Sequence, residues 1–291
     1  TRARAAAEAK MRVRDDMTYF DLGLVPPGDD AAAAAQKIPH PSDPSDMVLM
    51  DAGTGQQFRF ASQSELANFK YQRYLQRYLQ TVASLDESVG RLLDYLDEAG
   101  LSENTIVVYT SDQGFFLGEH GWYDKRFVYE QSFQMPFLIR YPAEIAAGSV
   151  CADFVCNVDF APTFLDYAGL AAPSYIQGRS FRSCLRGETP QDWLQIAYHR
   201  YWMHRDATHN AYAHYGIRDR RYKLIYWYNE GYDLPGTREG GQDREWEFFD
   251  LDADPLEVLN VYADPAYGDA IAMMKDKLAQ RQAEIGDRPA H

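Results

Sequence analysis

The chain has 291 residues, 46% of them hydrophobic and 14% aromatic, enough to bury a real core in one large domain or two. Its formal net charge of -14 argues against nucleic acid and anionic membrane surfaces as partners, since both are held by an excess of Lys and Arg. No apolar run approaches the ~20 residues of a membrane-spanning helix, and no signal peptide is visible.

In chain order, Ala5 to Met17 reads as an Ala- and Arg-rich helix, followed at Ala31 to Ala35 and Pro39 to Pro44 by a low-complexity connector expected to be a mobile loop. Leu66 to Ala99 carries apolar residues at helical spacing, with Gly100 as its stop, and this stripe is expected to be core. Thr105 to Tyr109 is β-branched and apolar without polar alternation, the pattern of a strand covered on both faces of an α/β sheet. Pro136 to Tyr141 is a second short strand, and Asp159 to Gly169 a helix. From about Trp193 the pattern changes to short aromatic strands, Gln195 to His199, Tyr215 to Arg218, Tyr222 to Tyr228 and Trp246 to Leu251, which predict an antiparallel sheet. A final helix, Ala270 to Ile285, is expected to pack on it. The three cysteines leave at least one unpaired, and Cys151 with Cys156 reads as two thiols in preference to a strand-end disulfide.

The chemistry concentrates after the first of these strands. In open α/β sheets ligands bind beyond the carboxyl ends of strands, where Asp112, Gln113, His120 and Lys125 fall. Asp112 and Gln113 are adjacent hard-oxygen donors that suit Ca²⁺ or Mg²⁺, or else form a plain turn. Gly118 and Gly121 let the backbone return Lys125 towards the strand end. There an ammonium about 4 Å from an anion gains ~4 kcal/mol before desolvation. The alternative is a solvated Lys paired with Asp124 or Glu130, worth ~1 kcal/mol or less. His120 reads either as a donor to the same anion or as a loop brace. Further on, His199, Arg200, His204, His209 and His214 lie among aromatic residues, a composition suited to stacking on a sugar or aryl ring and donating to hydroxyls or sulfate. Their spacing matches no zinc motif. His214 reads either as such a donor or as a sheet-edge histidine on a solvated face. An anionic substrate would need a local basic pocket against the net charge, with Lys125, Arg126, Arg218, Arg220 and Arg221 as candidates.

The segments Ser111-Asp112-Gln113-Gly114, Gly118-Glu119-His120-Gly121 and Lys125 together resemble the sulfatase family of the alkaline phosphatase superfamily. The resemblance continues through Met135-Pro136-Phe137, Asn157-Val158-Asp159, Gly178-Arg179-Ser180-Phe181 and Phe249-Asp250-Leu251-Asp252-Ala253-Asp254-Pro255. It implies an α/β fold, part of an alkaline-phosphatase-like mixed sheet with flanking helices, plus a smaller C-terminal α+β subdomain with an antiparallel sheet. The boundary is expected between residues 192 and 193, with residues 1–65 as an irregular or helical lead-in. It further implies Ca²⁺, with Mg²⁺ as the alternative, on Asp112 and Gln113, and a sulfate contact from Lys125. His120 or His214 would assist the leaving oxygen, and Lys125, His214 and Arg218 would hold a sulfated carbohydrate or small molecule. Most bacterial relatives of this kind are exported, so an exported or periplasmic protein is the expectation.

Sulfatases attack sulfur with a formylglycine made from a C-x-P-x-R motif, and none of Cys151, Cys156 and Cys184 has Pro two residues on. Asp15-Asp16 does not match the family's metal-binding pair, because no apolar strand precedes it, and His40 matches no family histidine. With Thr1 at the start, the expectation is the C-terminal portion of a sulfatase, inactive alone and poorly soluble where partner strands would pair. A phosphodiesterase or phosphonate monoester hydrolase of the same superfamily, and a non-catalytic protein that binds sulfated ligands, remain as alternatives.

Overall fold

The computed structural model describes residues 2–27 and 31–288; Thr1 and residues 28–30 of the expected lead-in lie outside the described residues. In chain order the elements are α1 (Arg4–Ala7), α2 (Val13–Asp16), α3 (Tyr19–Leu22), α4 (Ala31–Ala34), β1 (Val48–Met50), β2 (Gln57–Arg59), α5 (Gln63–Glu98), β3 (Val107–Thr110), β4 (Phe116–Leu117) and β5 (Tyr123–Asp124). There follow α6 (Glu130–Phe133), β6 (Phe137–Arg140), α7 (Phe160–Tyr167), α8 (Arg182–Leu185), β7 (Ala197–Tyr201), β8 (His214–Arg218), β9 (Tyr222–Trp227), β10 (Glu245–Asp250) and α9 (Gly268–Ile285). They fall into two compact units. The smaller comprises Ala9–Ala99 and Phe115–Lys125, the larger Thr1–Glu8, Gly100–Gly114 and Arg126–His291.

The smaller unit is organised on α5. Ser62 caps the helix by accepting from the Glu65 amide at 3.2 Å, and Glu65 reaches back to the Ala61 amide at 2.7 Å, a reciprocal cap that fixes where the helix begins. Leu66, Lys70 and Tyr74 are its buried residues, spaced one turn apart. Lys70 has no solvent exposure, and its Nζ donates to the carbonyls of Arg14, Ile38 and Pro39 at 2.7, 2.9 and 3.2 Å. Burial lowers its pKa to about 8. The expected all-core stripe is corrected by the rest of the helix: Leu79, Leu85 and Leu92 are exposed. Their spacing specifies an apolar face, while the packing that would cover it is absent from this unit. The single helix expected over Ala5 to Met17 is also corrected to α1 and α2, because Arg12 pairs with Trp122 as a β-bridge and gives its amide to the Asp16 carboxylate at 2.8 Å. The alanine run forms α4 in place of the expected loop.

In the larger unit β7, β8, β9 and β10 make a four-stranded antiparallel meander in sequence order, as the aromatic strands predict. α9 lays Ile271, Met274 and Leu278 against it, beside Ile217, Leu224 and Phe248. β3 pairs antiparallel with β6, Val107 opposite Arg140 and Thr110 opposite Phe137. The expected two-sided cover is corrected here: Tyr109 is 40% and Leu138 62% exposed. The apolar run fits a strand, but the larger unit supplies no layer over that face. All three cysteines are free thiols. No described helix is long and apolar enough to cross a membrane.

Candidate active site

In the larger unit, the chain leaves β3 through Ser111, Asp112 and Gln113 into Gly114. The Gly114 amide donates to the Ser132 carbonyl at 2.9 Å, and Asn157 Nδ2 donates to the Asp112 carbonyl at 3.0 Å, so the loop's backbone is held from two sides. The Asp112 side chain is left outward, exposed, with its Oδ1 3.3 Å from the Ser111 hydroxyl. An outward carboxylate beside an amide carbonyl suits a hard divalent cation. Among the described residues no group of three or more His, Cys, Asp and Glu gathers as a metal shell. Asp112 and Gln113 can therefore supply only part of the about six to eight oxygens that calcium takes.

In the smaller unit, β4 and β5 form a hairpin that presents His120 and Lys125. Gly118 has φ of 111°, and a Cβ there would lie 2.4 Å from the Tyr71 ring, so only glycine lets the hairpin turn so close to α5. His120, itself at φ 60°, packs on Trp122 and Phe116 at ring separations of 5.3 and 6.0 Å. Lys125 Nζ lies 3.2 Å from Asp124 Oδ1, and its side chain remains 35% exposed. Of the pair rejected above, Asp15 is bonded to Arg14 and Asp16 to Lys37.

The remaining basic candidates are committed within the larger unit. Arg218 Nε donates to Glu130 Oε1 at 2.8 Å, Arg220 pairs with Asp153 at 3.0 Å, and Arg221 grips both oxygens of Asp250 at 3.0 and 2.8 Å. Arg126 reaches His209 Nε2 at 3.5 Å, while His209 Nδ1 lies 2.9 Å from Asp206. Burial works against that carboxylate, yet its hydrogen bonds from His209 keep it well below the ordinary range. Arg200 pairs with Asp287 and lies over the Trp202 ring at 3.6 Å. His204 accepts from the Ala213 amide at 3.2 Å and meets Gln242 Oε1 at 2.9 Å, a structural brace.

His214 has no solvent exposure. It is enclosed by Tyr201, Phe127 and Trp227, and its Nδ1 donates to the Tyr212 carbonyl at 2.7 Å. The alternative of a solvated sheet edge is corrected, because β8 is buried at four of its five positions. Burial lowers His214 to about 3 and His199 to about 4, so both rings are neutral in the fold. The unfolded chain takes up these protons from about pH 6.5 downwards and the folded chain does not. Stability is therefore expected to fall as pH drops from about 6.5 towards 4, by about 1.4 kcal/mol per pH unit for each ring. Urea unfolding at pH 7 and pH 5 checks this: His214→Phe should lose less stability between the two than the unmodified protein, and identical losses would remove the assignment.

Two family models match the chain: N-sulphoglucosamine sulphohydrolase, C-terminal, over residues 118–284, and Sulfatase over residues 27–170. The chain belongs to the sulfatase family. It is 47% identical over 224 residues to an N-acetylglucosamine-6-O-sulfatase of Bacteroides thetaiotaomicron, a match that covers 76% of this sulfatase chain and 38% of the relative. A further match, 47% identical over 103 residues, is to an extracellular sulfatase SULF-1 homolog of Drosophila melanogaster, covering 35% of this chain and 9% of that protein. In structure it resembles, with a TM-score of 0.79 and 37% identity, a protein solved in complex with its substrate D-glucosamine-2-N,6-O-disulfate, over 99% of this chain and 58% of that one. The fold is the mixed α/β fold of these sulfatases.

Two residues of this sulfatase chain escaped the sequence reading as parts of the site. Asn157 and Ser132 fix the loop that carries Asp112 and Gln113. The signal for Asn157 was present, since it opens one of the segments that carry the resemblance. Ser132 acts through its backbone carbonyl and leaves no trace in residue type.

Proposed function

We propose that this chain forms part of a calcium-dependent sulfatase that hydrolyses the sulfate ester of a sulfated glucosamine-type sugar. What supports it most is the likeness over 99% of the chain to a protein solved with a disulfated glucosamine. The 47% identical relative, named for N-acetylglucosamine 6-O-sulfate, points the same way.

Asp112 and Gln113 would hold the cation together with further donors, since among the described residues no group of three or more His, Cys, Asp and Glu gathers around them. When bound, a divalent metal stabilises negative charge on the sulfate oxygens. Lys125, tethered among the described residues to Asp124 and still solvent-accessible, binds the transferred group as a point charge. His120, on the same hairpin, serves the leaving oxygen. His214 and Arg218 were the other candidates, but the first is enclosed by aromatic rings and the second is held by Glu130, so we assign them to packing and to the interior charge pairing.

Sulfatase chemistry also needs a nucleophile, and no C-x-P-x-R segment occurs in the sequence. The proposal therefore includes a formylglycine from sequence beyond these residues, and the 291-residue chain alone is expected to be inactive. Export is part of the same proposal, supported by the extracellular relative; fractionation that finds the protein in the cytoplasm would count against it. The deciding assay offers the full-length protein glucosamine 6-O-sulfate, a phosphodiester and a phosphonate monoester. Preference for the sulfate by kcat/KM is expected, and preference for either phosphorus substrate would replace the proposal with the phosphodiesterase or phosphonate hydrolase alternative.

A further inference from the structure

Four charged side chains meet inside the larger unit. Lys223, on β9, is fully buried, and its Nζ lies 2.7 Å from Glu130 Oε1 and 2.6 Å from Glu257 Oε1. Glu257 is also fully buried, and Arg218 completes the set on Glu130. Two cations and two carboxylates balance, as a buried cluster must to avoid a large desolvation cost. Burial raises the pKa of Glu257, whereas Lys223 and Arg218 outweigh burial at Glu130 and lower it.

Stability alone is a weak reason for such a cluster, since apolar residues of similar volume do as well or better. Its geometry offers another. The second oxygen of Glu257 accepts the Glu130 amide at 2.6 Å, which is the first N–H of α6. Glu257 does this from a left-handed backbone, φ 53°, a conformation that costs a non-glycine residue about 1–3 kcal/mol and persists only where its surroundings impose it. From α6 the coupling runs directly to the loop after β3. The Ser132 carbonyl takes the Gly114 amide, and a Cβ at Gly114 would lie 2.3 Å from the Gln131 carbonyl oxygen and 2.5 Å from that of Gln134. The last turn of this path is backbone against backbone, with no side chain between to absorb a shift.

We propose that Glu257, braced by Lys223, is a positioning residue for the metal loop: it pins the amino end of α6, and α6 sets where Asp112 and Gln113 stand. This rests on the assignment of Asp112 and Gln113 as calcium ligands.

The test uses the full-length protein with Ca²⁺ as the titrant. Asp112→Asn comes first and should abolish or weaken Ca²⁺ binding. Two double variants then separate the hydrogen bond from the charges. Lys223→Met with Glu257→Gln removes both charges and keeps an oxygen for the Glu130 amide. Lys223→Met with Glu257→Met removes both charges and that oxygen. Each leaves Arg218 and Glu130 paired. The Met/Gln form is expected to bind Ca²⁺ within about twofold of the unmodified protein, and the Met/Met form about tenfold or more weakly, with kcat falling in parallel and KM little changed. Equal Kd values in the two double variants, whether high or low, would overturn the positioning role while leaving the metal assignment standing. No Ca²⁺ binding by the unmodified protein would overturn both. Should the Met/Met form fail to fold, amide exchange in the unmodified protein decides the matter: the Gly114 and Glu130 amides are expected to open with one free energy, and independent opening would overturn the coupling.

Discussion

Replacing Lys125 by Ala in the full-length protein is expected to lower kcat for a 6-sulfated glucosamine by about 10²–10³-fold, the usual loss when one preorganised group facing developing charge is removed. The melting temperature should move by less than about 2 °C. The reason for this separation is the state of the side chain: Lys125 is 35% exposed and, among the described residues, tied to Asp124 at 3.2 Å, and such pairs contribute little to stability. Lys125→Arg should recover part of the loss, since a guanidinium keeps the charge but not the compact ammonium geometry. A kcat within twofold of the unmodified protein in Lys125→Ala would end the assignment, and a large fall in melting temperature would recast the residue as structural.

The second large effect is on stability. Glu247 is fully buried and accepts three hydrogen bonds, from the Ala3 amide at 2.7 Å, the Tyr129 hydroxyl at 2.8 Å and the Trp227 indole at 3.0 Å. Glu247→Leu would strand all three donors in a space that water does not reach. At about 1–3 kcal/mol for each orphaned group, partly relieved by relaxation, the expected loss is about 3–5 kcal/mol. Glu247→Gln keeps one acceptor oxygen and should cost roughly half as much. Burial raises the pKa of this carboxyl against the three donors, so its contribution is largest below the ordinary carboxylate range and shrinks as pH rises through the raised value. That sense is opposite to the one expected for His199 and His214. Urea denaturation of the three proteins at pH 7 measures the difference, and a loss under 1 kcal/mol for the Leu variant would show that the donors find other partners.

How much the sequence revealed depends on whether the deciding contact is local. The meander from β7 to β10 and the helix α9 were legible because each strand pairs with its sequence neighbour and the helix turns its periodic face onto them. The break between α1 and α2 was not, since it depends on Arg12 pairing with Trp122, 110 positions away. The stripe on α5 announced an apolar face without saying what covers it. Likewise Asp112 and Gln113 could be placed at a strand end by motif, whereas the Glu257–Glu130 contact joins positions 127 apart. A hint of it was Lys223, a charge within the otherwise apolar and aromatic strand from Tyr222 to Trp227. His214 shows the complementary limit: alternation along a strand cannot reveal that both of its faces are covered.

The bond between Ala3 and Glu247 spans 244 positions, and Arg4 and Ala5 give their amides to Glu245 over a similar separation. These contacts bear on the order in which the larger unit assembles. During synthesis the segment from Ala3 to Ala5 emerges well before its acceptors on β10, so it must wait undocked while the meander zips up strand by strand. Docking of this segment onto β10 would then follow formation of the meander, limited by the search over a loop of 244 positions. A refolding experiment should find Trp227 buried in the meander before the Ala3 amide becomes protected from exchange; the reverse order would mean that the segment docks onto a preformed surface other than Glu247.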